Sequence, residues 1–359
     1  MISVVKRDST VAQVDFKNGV SNLKAPVIFW LLLFCSGCSD SLRPSPVLHG
    51  PTMGTTYTIK LSEIPSGLVL DQLRAEVESQ LEQINDWMST YRADSEISRF
   101  NRAPENQWVD VSEPTAQVVQ MALTLHGLTK GAFDPTVSPW VDLWNFGPDP
   151  RERRTPTQAE IDAAGQWVGA DQIAVRPDPP ALRKLTMGLK IDLSGIAKGF
   201  AVDCLAEILD QHGVTGYMIE IGGEVRTRGL NGKQRPWSIG IEAPQDDQRV
   251  IALVLSLQNN CLATSGDYRN FFVEDGKRYS HLIDPRTGRP IEHQLASVTV
   301  LENSCARADA LATAMMIMGA DMAIEFAESQ NLAAVFLERT DNGFVQRTTS
   351  RFNQEVETK

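Results

Sequence analysis

The sequence predicts a mixed α/β, or α+β, fold whose sheet is largely antiparallel in the later part of the chain. Helical periodicity marks the earlier part, where Leu70, Leu73, Val77, Leu81, Ile84 and Met88 recur three or four residues apart. Short β-type runs crowd the stretch beyond residue 211, with two helical segments among them. No linker or internal repeat divides residues 50–350, a length that can bury one large core.

The elements follow in order. Residues 55–61 read as a strand and lead into the periodic helix. A second helix is expected over 115–130, closed by Gly131. Residues 148–156 are a polar, charged loop. Thr157-Gln158-Ala159-Glu160 is a capping box that opens a short helix. A helix over 196–211 carries Lys198 and stops at Gly213. Strands are expected at 216–221, 237–242, 250–257, 297–301 and 333–337. The helix bearing Asp309 and another over 322–329 lie between the last two.

The N-terminus reads as a targeting segment. Lys6, Arg7, Lys17 and Lys24 precede the apolar run 27–34. A bilayer span needs about 20 apolar residues, so this run fits the core of a secretory signal. It ends in Cys35-Ser36-Gly37-Cys38, which resembles a bacterial lipobox in which Cys38 becomes the lipidated first residue. Cys35 stands where that motif usually carries Leu. An ordinary cleaved signal and an uncleaved anchor are the alternative readings. The chain carries a formal net charge of -11, and its first 37 residues are net basic, so the remainder is more acidic still. No nucleic-acid partner is expected, because phosphate backbones demand basic patches. Cys204, Cys261 and Cys305 are scattered and odd in number; buried free thiols are expected, rather than a disulfide framework or a zinc site.

Chemistry concentrates in two segments. Asp192-Leu193-Ser194-Gly195-Ile196-Ala197-Lys198-Gly199 sets a carboxylate, a small-residue turn and a lysine at the start of a helix. Free N–H groups and a positive dipole end attract phosphate there. Asp309 and Thr313 stand four apart, on one helix face, and offer hard oxygen ligands for magnesium. Together these segments point to a Mg²⁺-assisted diphosphate site. Asp203, one turn beyond Lys198, either orients that lysine or faces solvent. Ile221-Gly222-Gly223-Glu224 is a tight turn beside a carboxylate, or a bulge with an exposed Glu.

Other segments keep two readings. Met53 lies against a flat ring or starts a strand with its side chain in the core. Tyr91 stacks on an adenine or belongs to a turn capped by Ser95. Ala132, Phe133 and Asp134, followed by Trp140, Trp144 and Phe146, form a ligand wall or a packed aromatic loop. His281, with Asp267 and Asp284 near in sequence, is a proton acceptor or a structural histidine.

Eight segments in order resemble the ApbE-type FAD:protein FMN transferases, lipoproteins once assigned to thiamine biosynthesis. They are GPTMGTTY, MSTYRADSEISRFN, GAFDPTVSPWV with the following LW and FG, IDLSGIAKGFAVD, IEIGGEVR, TSGDYRNF, YSHLIDPRTGRP and ADALATAMMIMG. They run from Gly50 to near the C-terminus. The resemblance implies a T-fold-related architecture rather than a Rossmann domain, and no strand-led GxGxxG is present. It implies Mg²⁺-dependent transfer of FMN from FAD onto a threonine of a flavin-carrying subunit of a membrane redox complex, with release of AMP. By motif, Met53, Tyr91, Ala132, Phe133, Asp134, Asp192, Lys198 and Ile283 would contact FAD. The Gly195 carbonyl, Asp309 and Thr313 would hold Mg²⁺, and His281 would be the base. The organisation implied is a signal over 1–37, a tether over 38–49, the transferase domain over 50–350 and a tail over 351–359. The location implied is the periplasmic side of the inner membrane, with Ser39 leaving the outer membrane open. An FAD pyrophosphatase and a non-catalytic FAD-binding lipoprotein are the alternatives.

Overall fold

The computed structural model describes residues 45–148, 154–244 and 250–357, so the signal segment and Cys38 lie outside the described residues. Its frame is one eight-stranded sheet: β1 Val47–Thr52, β2 Thr55–Glu63, β3 Gly216–Ile221, β4 Glu224–Arg228, β5 Cys261–Gly266, β6 Leu295–Glu302, β7 Ala333–Thr340 and β8 Gly343–Thr348. Each strand runs antiparallel to its neighbours, and spatial order follows chain order. The expected antiparallel sheet thus extends to the first strands of the domain.

The helices are α1 Leu70–Met88, α2 Glu96–Arg102, α3 Glu113–Leu128, α4 Ser138–Leu143, α5 Gln158–Gly165, α6 Ala197–Gln211, α7 Cys305–Met318, α8 Ala320–Ser329 and α9 Ser350–Glu357. On α1 the buried residues are Leu73, Val77, Leu81, Ile84 and Met88, as the periodicity requires. The Thr157 capping box opens α5. Gly213, at φ +72°, ends α6 in the left-handed region. None of the described helices is long and apolar enough to cross a membrane.

Strand alternation sends side chains to two cores. On β3, Tyr217, Ile219 and Ile221 join the main core with residues of α1, α6 and α7. Met218 turns to a second core with the hairpin Trp237–Glu242/Ile251–Leu257 and Phe352 of α9. Covered on both faces, the sheet packs α6 and α7 against one side. A third cluster joins Trp140, Trp144, Ile161, Phe272 and Ile283. It seats the hairpin Phe271–Glu274/Lys277–Ser280 beside the loop that carries His281.

Strand β1 begins at Val47, and α9 carries a buried Phe352. One expectation changes. Cys261 and Cys305 form a disulfide, and Cys204 is the free thiol among the described cysteines. The two bonded residues are 44 apart in sequence; only the docking of α7 on β5 brings them together.

Candidate active site

The site begins at the turn before α6. Asp192 Oδ1 accepts from the Ser194 backbone N–H at 2.8 Å and from its hydroxyl at 2.5 Å. This Asx turn aims the next residues into the helix. The Asp192 N–H donates to the Pro135 carbonyl at 2.7 Å, tying the turn to the 130s loop. There Asp134 Oδ1 accepts from the Thr136 N–H at 2.7 Å and its hydroxyl at 2.6 Å. Gly195 is small for a reason: a Cβ would lie 3.1 Å from the Phe133 ring and 3.4 Å from Thr313 Oγ1.

Lys198, in the first turn of α6, stands between two carboxylates. Its Nζ is 2.6 Å from Glu224 Oε1 and 3.6 Å from Asp309 Oδ1. Burial works against the ammonium, but Asp309 and Glu224 outweigh it and hold its pKa well above the ordinary lysine range. Burial raises the pKa of both carboxyls, and Lys198 opposes that rise only in part. With both carboxylates ionised, one ammonium leaves an excess negative charge. Glu224 Oε2 is buried with no hydrogen-bond partner, an atom normally satisfied in a protein interior. The pocket can relieve that excess with a further cation or with a proton shared between the two carboxyls.

The sequence offers Glu224 as a turn-side or exposed residue; in the structure it is 1 % exposed. The missed signal is strand alternation. Glu224 pairs with inward-facing Ile221 across the β3–β4 hairpin, so both point to one face. Asp203 neither orients Lys198 nor faces solvent. Its oxygens accept from the N–H groups of Cys305 and Ala306 at the start of α7.

Asp309 and Thr313 reach the same pocket from α7. Asp309 Oδ2 accepts from the Gly199 N–H at 3.1 Å. A cavity of about 410 Å³ is lined by Tyr91, Ala132, Phe133, Asp134, Asp192, Gly195, Lys198, His281, Ile283, Asp309 and Thr313. Of the candidate binding, metal and base residues in the described chain, Met53 alone lies elsewhere. It lines an adjoining cleft of about 1200 Å³ that also touches Tyr91, Ser194, Lys198 and Asn270. Met53 and Gly54, at φ +48° and +72°, form the two-residue turn between β1 and β2. A methionine in left-handed backbone at a cleft edge is a local cost kept at a candidate ligand contact. Tyr91, 70 % exposed, presents an open ring at the junction of the two spaces.

The carboxylates near His281 in sequence do not serve it. Asp267 takes both arms of Arg339, at 2.7 and 2.5 Å, and Asp284 pairs with Arg286 at 2.8 Å. The partner of His281 is Asn270, whose carbonyl oxygen lies 3.0 Å from ring Nδ1. A carbonyl only accepts, so Nδ1 carries the proton and Nε2 keeps a free lone pair. Burial lowers the imidazole pKa, outweighing the backbone bond to Asn270 and the charge of Asp267. A backbone partner leaves no residue-type signal, which is why the sequence pointed to the carboxylates. The aromatic segment resolves into both its readings: Trp140 and Trp144 are buried core, and Phe146 lines the cavity.

The chain is similar to known proteins. The chain is 45 % identical over 323 residues to the FAD:protein FMN transferase of Vibrio cholerae, covering 89 % of this chain and 95 % of that one. It is 44 % identical over 317 residues to the same-named enzyme of Haemophilus influenzae, covering 87 % and 92 %. The solved structure of the flavin transferase ApbE from Vibrio cholerae superposes with a TM-score of 0.80 at 44 % identity, covering 86 % of this chain and 98 % of that one. The ApbE family model matches residues 53–336. That match takes in every candidate contact of the two cavities, from Met53 to Thr313, and with it the chain belongs to the ApbE family.

Proposed function

We propose that this chain transfers FMN from FAD to a threonine hydroxyl of a protein acceptor, releasing AMP. The observation that carries the proposal is the polarity of His281. With Nδ1 held by the Asn270 carbonyl, Nε2 can take the proton of an acceptor hydroxyl in the cavity. Lys198, which lines the cavity from the first turn of α6, is placed to receive charge on the diphosphate.

A magnesium ion fits the residues present. The Gly195 carbonyl, Asp309 and Thr313 supply oxygen ligands of the hardness magnesium selects. The unbalanced charge of Glu224 and Asp309 around Lys198 favours a cation, as does the unpartnered Glu224 oxygen. When bound, the ion would neutralise charge on non-bridging phosphate oxygens. The flavin end and the adenine end of FAD would divide between the two adjoining cavities, with Tyr91 and Met53 flanking a ring. Acceptors are flavin-carrying subunits of membrane redox complexes.

The proposal includes a lipid anchor at Cys38 on the periplasmic face of the membrane, supported by the basic flank, short apolar run and small residues before the cysteine. The activity is tested by mixing the protein with FAD, Mg²⁺ and a threonine-bearing acceptor domain, then weighing the acceptor. A gain of one FMN supports transfer. Free FMN and AMP with an unmodified acceptor would make the chain a hydrolase.

A further inference from the structure

Each of the two helices at the site supplies a carboxylate to the other's N-terminus. The Gly199 N–H, in the first turn of α6, donates to Asp309 of α7 at 3.1 Å. In return Asp203 of α6 accepts from the N–H groups of Cys305 and Ala306 at 3.0 and 3.1 Å, and from the Ser304 hydroxyl at 2.9 Å. Arg226, at 2.9 Å, supplies an opposite charge. The helices touch backbone to backbone here, since a Cβ on Gly199 would lie 2.1 Å from the Cys305 carbonyl oxygen. The Cys261–Cys305 disulfide ties the first residue of α7 to the first residue of β5.

Asp309 lies one turn beyond Cys305 and Thr313 lies two. Because α7 is buried nearly all round, a shift of its first turn carries both side chains with it. We propose that Asp203 is a positioning residue for the divalent-cation site. It fixes α7 axially against α6, and so sets the spacing of Asp309 and Thr313 from Gly195, with the disulfide as a second anchor. The inference rests on the cation reading given above. Asp203 and the two cysteines do come within ligand distance of one another. Bonded together, however, the sulfurs are not thiolate ligands, so the cluster acts as a clamp.

Magnesium demands near-ideal octahedral geometry, whereas calcium tolerates irregular ligand sets. That contrast separates positioning from general loosening. The experiment titrates Mg²⁺ and Ca²⁺ calorimetrically into the FAD-loaded full chain, well below the unfolding temperature, for wild type, Asp203→Asn and Asp309→Asn. Asp203→Asn should weaken Mg²⁺ binding about 10–100-fold, the range seen when partners behind metal ligands are removed. It should weaken Ca²⁺ binding less and leave metal-free flavin affinity within about twofold. Unchanged Mg²⁺ affinity in Asp203→Asn, with binding lost in Asp309→Asn, overturns this inference alone. Intact binding in Asp309→Asn overturns the cation reading and this inference with it. If Asp203→Asn does not fold, the Cys261→Ser/Cys305→Ser pair takes its place, and wild-type Mg²⁺ affinity there overturns the inference.

Discussion

His281 and Asn270 are joined twice: the backbone N–H of His281 and its ring Nδ1 each lie 3.0 Å from the Asn270 carbonyl oxygen. The ring orientation is therefore set by the backbone and survives changes of neighbouring side chains. His281→Ala should lower single-turnover FMN transfer by about 10²–10⁴-fold while FAD still binds. In wild type the base works as neutral imidazole. Because burial lowers its pKa, the rate should hold through the ordinary histidine range and fall only at more acid pH. The variant's residual rate should lack that acid limb; a near-wild-type rate or an unchanged profile returns His281 to a structural role.

Asp309→Ala leaves Lys198 facing Glu224 alone and removes the excess negative charge. Mg²⁺ affinity of the FAD-loaded protein should collapse and turnover should stop, with flavin binding largely kept. Unaltered affinity by calorimetry would show that the ligands lie elsewhere.

Tyr91 buries little of itself in the free protein, so removing it costs little packing. Base–aromatic stacking contributes about 1–3 kcal/mol per base. Tyr91→Ala should raise the FAD dissociation constant roughly tenfold to a hundredfold and leave the melting temperature in place. Equal affinity for both proteins would rule the contact out.

Gly199→Ala puts a methyl group against the Cys305 carbonyl, which is backbone and cannot swing aside. Overpacking of this kind costs about 1–3 kcal/mol. Thermal unfolding should shift down clearly, although α6 gains a better helix former; a rise in melting temperature would contradict the close approach.

Cys38→Ala should abolish incorporation of labelled fatty acid and leave precursor in the membrane fraction. Normal labelling of that variant would sink the lipid anchor.

Periodic segments were the most legible. The apolar stripe of α1 and the capping box of α5 follow from local chemistry, and strands such as Gly216–Ile221 follow from composition and bounding turns. Much of the candidate site was legible too: Lys198, Asp309 and Thr313 declare themselves by residue type and spacing, and the other cavity residues come from the family resemblance. What stayed hidden depends on pairing across the fold. Glu224 becomes a buried carboxylate only through its register with Ile221, Asp203 a cap only where α6 crosses α7, and Asn270 a partner only through its carbonyl.

The chain-order sheet carries a consequence for how the molecule assembles. Strand β2 ends at Glu63 and its neighbour β3 begins at Gly216, so everything from α1 to α6 must be gathered before Leu61 can pair with Tyr217. Most later neighbours are separated by far shorter excursions, and loop-closure entropy rises with length. The C-terminal strands should therefore zip early from local hairpins, and the β1–β2 hairpin should join the sheet late. Its docking delivers Met53 to the rim of the cleft, so that contact would be among the last parts of the binding surface to form during folding.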